Sequence, residues 1–273
     1  MQSTQTDLST FMARLEAVAR EAGDIAMAYF RPAERTSADV TYKSGGSPVT
    51  EADLAVDRFL FERMASLAPG AGWLSEETAD TAERLSRGEV IVVDPIDGTT
   101  AFVRGDKRWA VSIALIEQGC PVVGVVHAPA LGKTFAARKG GGAFLNGEAI
   151  GVSPREELAG ARIVSPRDKT EFFEKSPYGF KIAPRAPSLA LRLTDVAAGA
   201  NDLAIASPGA RDWDIAAADV ILSEAGGLLS EIEGGPLTYN RASSRREMLV
   251  AAPRALFNES LALAKAAMKG KPR

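Results

Sequence analysis

The stretch EVIVVDPIDGTTAF, residues 89–102, decides how the rest of the chain is read. Val90, Ile91, Val92 and Val93 form a short apolar run that reads as a buried strand. That strand delivers Asp94 at its carboxyl end, where open α/β sheets place ligand sites. Pro95 then forces an extended or turning path. Asp97 follows three residues after Asp94, so a tight turn can aim both carboxylates at one point. Gly98 lets backbone approach a ligand closely. Thr99 and Thr100 can open a helix whose free N–H groups face the same point, an arrangement suited to phosphate. Carboxylates alone would repel phosphate, so an acid pair beside an anion site requires cations between them.

Hard cations such as Mg²⁺ prefer oxygen ligands and keep water in their shell. Two of them about 3.5–4 Å apart can activate a water and stabilise the leaving oxygen of an in-line displacement. Two further acidic pieces lie outward from the strand: WLSEET with Glu76 and Glu77, and RDWDIAAAD with Asp212 and Asp214. Singly, each reads as a solvated face, a turn or a helix cap.

Composition narrows the chemistry further. The 273 residues hold 32 Lys+Arg and 35 Asp+Glu, a net charge of −3, with 46% hydrophobic and 25% charged residues. That is an ordinary globular balance, without the basic excess of a nucleic-acid binder. One cysteine, Cys120, forbids an intrachain disulfide, and one histidine, His127, forbids a His-rich zinc site. His127 lies in the apolar run VVGVVHAP and reads as a packed strand residue. Carboxylates are therefore the groups available for catalysis or metal binding. The start MQSTQTDLSTF lacks the pattern of a signal peptide, and no run approaches the length of a membrane span. Together with the single thiol, this points to the cytoplasm.

Along the chain, residues 8–30 carry the 3.6-residue rhythm of an amphipathic helix. Residues 31–48 read as loop. A second helix begins at Thr50, with Asp53 as the acidic partner of a capping box. Runs 109–117 and 121–129 flank Gln118-Gly119-Cys120 as a hairpin. KTFAAR (133–138) reads as a strand. Gly140-Gly141-Gly142 lacks the Lys-Ser/Thr of a phosphate loop and reads as a tight turn. Beyond residue 150 strands (161–165, 202–206, 247–253) alternate with helices (189–199, 214–227, 254–268). Pro154 suggests two subdomains: 1–153, carrying Glu76 and the DPIDGTT segment, and 154–273, carrying Asp214 and substrate-selecting residues.

WLSEET, DPIDGTTAFVRG and WDIAAADVILSEAGG, in this order and spacing, closely resemble the inositol monophosphatase superfamily, and GGGAFLNG (140–147) resembles its hairpin. The likeness runs from about residue 40 to 240. It implies an α/β protein built as a five-layer α/β/α/β/α sandwich, and a Mg²⁺-dependent, typically lithium-sensitive phosphatase holding two or three metal ions. Glu76, Asp94, Asp97, Asp214 and the Ile96 carbonyl match the metal ligands. Gly98 and Thr99 match the phosphate-holding groups. Thr99 with Asp53 matches the pair that positions the nucleophilic water, a task Glu76 shares, and Lys43 resembles a lysine on the mobile metal-binding loop. Asp53 thus has a capping and a catalytic reading, which look only partly compatible; the resemblance favours the catalytic one.

Inositol-type members commonly carry a Glu at the position of Ser207. Its absence, SPVTEAD (47–53) and SLALRLTDVAAG (188–199) lean toward 3′(2′),5′-bisphosphate nucleotidases. DPIDGTTAFVRG leans toward inositol phosphatases. Asp97, Gly98, Thr99, Ser207 and Asp214 are the expected substrate contacts. Arg185, Arg192 and Arg211 could meet a second phosphate, though each reads better as surface charge. The expected substrate is 3′-phosphoadenosine 5′-phosphate, with inositol 1-phosphate as the alternative. The expected partner is this small phosphorylated metabolite, without nucleic acid or membrane, in a homodimer. A non-catalytic dimeric regulator of transcription or ribosome assembly is a further reading, weakened by the intact ligand set, and a metal-free sugar- or nucleotide-binding protein is another. Asp97 and Asp214 lie at element ends, so their removal is expected to leave the fold intact.

Overall fold

Residues 8–29 bury one apolar stripe, which includes Phe11, Leu15, Val18 and Ala22, and form α1 (Leu8–Tyr29), capped by the Asp7 carboxylate. The computed structural model describes residues 7–43 and 45–270; the first six residues, on which the signal-peptide reading rests, and Ser44 of KSGGSP lie outside the described residues. β1 (Val40–Tyr42) and β2 (Pro48–Thr50) form a short antiparallel hairpin within the stretch read as loop. α2 (Glu51–Leu67) follows, with Thr50 and Asp53 closing the expected capping box. Next come β3 (Gly72–Ser75), β4 (Glu89–Asp97), α3 (Thr99–Val103), β5 (Ala110–Glu117), β6 (Cys120–Ala128), β7 (Lys133–Arg138), β8 (Ala143–Leu145) and β9 (Glu148–Ile150). The last part holds β10 (Arg162–Val164), α4 (Thr170–Glu174), β11 (Lys181–Ile182), α5 (Leu189–Ala197), β12 (Leu203–Ala206), α6 (Asp212–Glu224), β13 (Gly227–Glu231), β14 (Leu249–Pro253) and α7 (Phe257–Met268).

β3 to β9 lie side by side in sequence order in a seven-stranded sheet, parallel only between β3 and β4. The β5–β6 hairpin turns at Gln118-Gly119, as its sequence predicts, with φ of 49° and 78°. The triple glycine is the turn from β7 to β8. Its Gly140 and Gly142 N–H groups donate to the Glu224 carboxylate, each at 2.8 Å. The second sheet has the order β11-β10-β12-β14-β13.

Alternation along β4 and β5 shows why their central runs, Val90–Val93 and Ile113–Ile116, are apolar on both faces. Val90, Val92, Ala110 and Ala114 face the layer of α5 and α6. Ile91, Val93, Val111 and Ile113 face α1 and α2. Both faces are covered, so neither strand needs a polar side. Each such Val or Ile contributes roughly 1.5–3 kcal/mol by its burial. Gly124 of β6 lets α6 come close: a Cβ there would stand 2.5 Å from the Ala217 carbonyl oxygen. α5 and α6 also pack on the second sheet, whose far face carries α4 and α7. The order α1/α2, sheet, α5/α6, sheet, α4/α7 is the expected five-layer sandwich.

Two local readings change. Of the two paths open at Pro95, β4 takes the extended one, and the tight turn expected between Asp94 and Asp97 is absent. The strand stays extended to Asp97 through a bulge, where Asp94 pairs with Ser112 and Asp97 with Ala110. α6 begins at Asp212, two residues ahead of the expected start, because Asp212 and Asp214 both favour the positive end of the helix.

Candidate active site

Strand alternation places the first acid. Asp94 shares the face of Val90 and Val92, so it points toward the layer of α5 and α6. From that layer the first turn of α6 supplies Asp214, whose Oδ2 accepts the Arg211 N–H at 2.7 Å. β3, parallel to β4, ends beside it and supplies Glu76. One carboxylate oxygen from each of Glu76, Asp94 and Asp214 lies within 4.8 Å of the other two. These three sit in a cleft of about 780 Å³, also lined by Asp97, Gly98, Thr99, Thr100 and Ser207.

The electrostatics follow from this crowding. Burial lifts the Asp214 carboxyl to about 8, with Asp97 adding to it. Burial, then Glu76, Asp97 and Asp214, hold Asp94 well above the ordinary carboxylate range. Acids so close cannot all stay ionised without cations among them. The donors are all oxygen, which suits a hard divalent ion.

Asp97 does not join the group of three. Its carboxylate turns to the start of α5, where Oδ2 accepts from Ser188 Oγ at 2.5 Å and Ala190 N–H at 2.7 Å, and Oδ1 from Leu189 N–H at 3.2 Å. Burial still raises it, against these three bonds. Asp97 is therefore the cap that satisfies the first amides of α5. The expectation that an element-end acid here carries no structural weight is corrected for this residue. Oδ1 keeps a lone pair for a ligand.

Gly98 has φ of 93°, a left-handed conformation, and a Cβ there would stand 3.0 Å from Ser188 N. It precedes α3, whose Ala101 and Phe102 amides bond the Gly98 carbonyl and whose Thr99 and Thr100 amides have no partner within the helix. Ile96 buries its side chain among the α1/α2 contacts, while its carbonyl oxygen accepts from Thr99 Oγ1 at 3.0 Å. Thr99 Oγ1 also lies 3.3 Å from Asp53 Oδ1. The other oxygen of Asp53, Oδ2, accepts from Thr50 N–H at 2.8 Å and Thr50 Oγ1 at 2.6 Å. The two readings of Asp53 are thus fully compatible, one oxygen for each. Burial lifts this carboxyl to about 6.

Lys43, on the turn of the β1–β2 hairpin, places its ammonium 2.7 Å from Glu76 Oε1 and 2.9 Å from Glu77 Oε1. Glu77 is lifted to about 7 by burial, against that ion pair. Asp57 of α2, unmarked in the sequence reading, holds the loop from beneath: its carboxylate accepts from Ser75 Oγ at 2.5 Å and Thr78 Oγ1 at 2.6 Å, on either side of Glu76 and Glu77. Its only signal was an acid one turn after Asp53 on the same helix.

A match to the Inositol monophosphatase family spans residues 7–269. The chain belongs to the inositol monophosphatase family. It is a phosphoric monoester hydrolase of that family, whose members are metal-dependent. A 3′(2′),5′-bisphosphate nucleotidase CysQ of Aggregatibacter actinomycetemcomitans is 31% identical over 83% of this chain and 86% of its own. A histidinol-phosphatase of Mycobacterium tuberculosis is 37% identical over 69% and 75%. The solved IMPase of Thermotoga maritima aligns with a TM-score of 0.81 at 28% identity, covering 95% of this chain and 99% of that one.

Within this inositol monophosphatase fold, His127 is what its apolar setting predicts. It is buried, its Nδ1 sits 2.9 Å from Thr134 Oγ1, and burial lowers it to about 4. The surface-charge reading is corrected for Arg192 alone, since Arg185 is exposed. Arg192 is buried at 5% exposure and Arg185 lines the cleft. Arg211 is half-buried, with its guanidinium 5.8 Å from the Trp213 ring centre. The charge of an arginine does not reveal on which side of a short helix or loop it folds.

Proposed function

We propose that the chain is a Mg²⁺-dependent phosphomonoesterase whose substrate is 3′-phosphoadenosine 5′-phosphate or a close relative, released as AMP and phosphate. The convergence of Glu76, Asp94 and Asp214 within 4.8 Å carries this reading. Glu76, Asp94, Asp97, Asp214 and the Ile96 carbonyl oxygen are the groups that would hold two or three magnesium ions. Magnesium bound there would polarise the phosphoryl oxygens and acidify water.

The remaining work falls to the chain itself. Thr99 donates to Asp53 and so turns a lone pair toward the cleft, where it accepts a proton from the attacking water. Asp53, at about 6, is ionised at neutral pH and takes the proton through Thr99. Glu76 shares the positioning of that water. The amides of Gly98 and Thr99 hold the phosphoryl oxygens. Ser207, at the end of β12, and the Asp97 and Asp214 carboxylates contact the rest of the substrate.

The neutral Ser207 at a position where inositol-type enzymes carry an acid supports the bisphosphate substrate, as does the likeness to the CysQ nucleotidase. The second reading is inositol 1-phosphate, favoured by the likeness to the Thermotoga maritima IMPase. Among the described residues no helix is long and apolar enough to cross a membrane. A lithium-sensitive homodimer in the cytoplasm completes the proposal. Phosphate release from adenosine 3′,5′-bisphosphate, inositol 1-phosphate, histidinol phosphate and fructose 1,6-bisphosphate, with Mg²⁺ and with EDTA, tests it. Turnover of the first substrate only with Mg²⁺ is expected. Absence of Mg²⁺-dependent turnover on all four would overturn the reading.

A further inference from the structure

Four arginines line the cleft: Arg104, Arg108, Arg167 and Arg185. Arg108 is committed to Asp106, with Nε 2.9 Å from Oδ1. Arg167 and Arg185 make no ion pair and no side-chain hydrogen bond among the described residues. Asp168, next to Arg167, pairs instead with Lys169 at 3.6 Å.

Arg192 of α5 makes the observation sharper. It is 5% exposed, yet no carboxylate of the described residues lies within ion-pair distance. Its one hydrogen bond runs from Nε to the Ser188 carbonyl at 3.3 Å. A buried guanidinium without an anion is costly. Its two Nη groups are not sealed, because the buried side-chain atoms lacking any partner are Trp73 Nε1, Trp109 Nε1 and Asp212 Oδ2. They therefore keep a little exposure, although Arg192 does not itself line the cleft. The charges acting on Arg192 are Arg185, then Asp97 and Asp214, all residues of the cleft. Arg185 in turn feels Arg167 and Asp97. The three guanidiniums thus form a string of mutually felt charges, Arg167 and Arg185 in the cleft lining and Arg192 outside it, with no ion-paired carboxylate among the described residues.

The string is also held in place. Pro184 and Pro187 flank Arg185, and Pro166 precedes Arg167. The fixed φ of proline limits both loops. Arg108 Nη1 donates to the Arg185 carbonyl at 3.4 Å. Cations fixed before a ligand arrives lose little freedom on binding it.

We propose that Arg167, Arg185 and Arg192 form the seat of a second phosphate, so that the cleft takes a bisphosphate with its reacting phosphoryl group at the acids and its other phosphate on this string. The proposal rests on the phosphomonoesterase reading and assigns residues to the non-reacting end of the substrate. The neighbouring Asp97 and Asp214 offer the competing role: arginines that only offset those acids.

The test compares adenosine 3′,5′-bisphosphate with adenosine 3′-monophosphate, which lacks only the second phosphate, on the full chain with Mg²⁺. Wild type is expected to show a KM lower by on the order of tenfold for the bisphosphate, the scale of charge-assisted hydrogen bonds. Arg185→Ala and Arg167→Ala, both at exposed positions, are expected to bring that ratio toward one, and added salt to shrink it in wild type. Equal KM values in wild type, or variants that raise both KM values together, overturn the seat and leave the phosphatase reading standing. Calorimetric titration with 5′-AMP, compared with adenosine, reads the seat without turnover. Binding of 5′-AMP that is lost in Arg185→Ala supports the seat even if no substrate is hydrolysed, and indifference to the 5′-phosphate removes it.

Discussion

Asp53 and Thr99 come from different helices and share one carboxylate contact. Thr99 Oγ1 lies 3.3 Å from Asp53 Oδ1, while Asp53 Oδ2 closes the capping box of its own helix. The two functions can be separated by changing one oxygen. Asp53→Asn can keep its carbonyl oxygen on Thr50 and present an amide to Thr99. That amide cannot take a proton from the hydroxyl. Stability is expected to fall by no more than about 1 kcal/mol, as for a modified cap. The turnover number is expected to fall on the order of 10²–10⁴-fold, the usual weight of a lost general base. Urea unfolding and phosphate release on the same preparation check both numbers. A variant of full activity would remove Asp53 from catalysis and leave it a cap alone.

The crowded acids give the metal-free protein a characteristic pH profile. Asp53 rises from 3.8 to about 6 and Asp214 from 3.8 to about 8, both chiefly by burial. A carboxyl raised on folding binds its proton more tightly in the native state than in the unfolded chain. Stability therefore falls as pH climbs from about 4 to about 8, and the loss is complete above the folded values. Divalent cations reverse the sign of the site's field and should flatten this slope. Thermal unfolding between pH 5 and 9, with EDTA and with Mg²⁺, measures it. A flat profile in EDTA would mean that the acids do not share a pocket.

Much of this architecture is legible from periodicity. β4 is apolar from Val90 to Val93 and β5 from Ile113 to Ile116 because both of their faces are covered there, and α1 keeps one buried stripe over 22 residues. β13 (GLLSE) and the β1–β2 hairpin are too short and too polar for such a signal, since a partner strand stabilises them. The site divides in the same way. The alternation of Val90, Val92 and Asp94 already points that acid toward one layer. Nothing local tells Asp97 to turn toward Ser188, more than ninety residues away, or Arg192 to bury its charge. Those placements arise only when α5 docks.

The docking of α5 onto Asp97 makes a prediction that the position of this acid at the end of β4 does not. Asp97→Ala leaves the buried Leu189 and Ala190 N–H groups without an acceptor. A loss of about 1–3 kcal/mol is expected, the cost of stranded buried donors. Asp97→Asn retains one oxygen for those amides and should lose less. Asp214→Asn can keep its bond from the Arg211 N–H and should unfold close to wild type. All three are expected to lose most activity. Chemical denaturation of the set, with equal midpoints for Asp97→Ala and Asp214→Asn, would show that the α5 cap carries no weight.

A second buried contact fixes the other helix of the middle layer. Arg246 and Asp212 side chains are 1% and 0% exposed; Asp212 Oδ1 accepts from Nε at 2.7 Å and lies 2.7 Å from Nη2 in the same ion pair. Arg246 also donates to the Thr238 carbonyl at 2.8 Å and lies over the Tyr239 ring at 4.7 Å. Tyr239 passes the contact on to Asp219 through a 2.8 Å hydrogen bond. This group ties the segment 238–246 to the first turn of α6, two residues from Asp214. Removing one partner strands a buried charge, so Arg246→Met should cost about 3–5 kcal/mol. The paired change Arg246→Met with Asp212→Leu removes both charges and should recover much of that loss. A double-mutant cycle by urea unfolding measures the coupling. If the single and double variants unfold at the same midpoint, the pair contributes only packing, and the placement of Asp214 depends on the hydrophobic contacts of α6 alone.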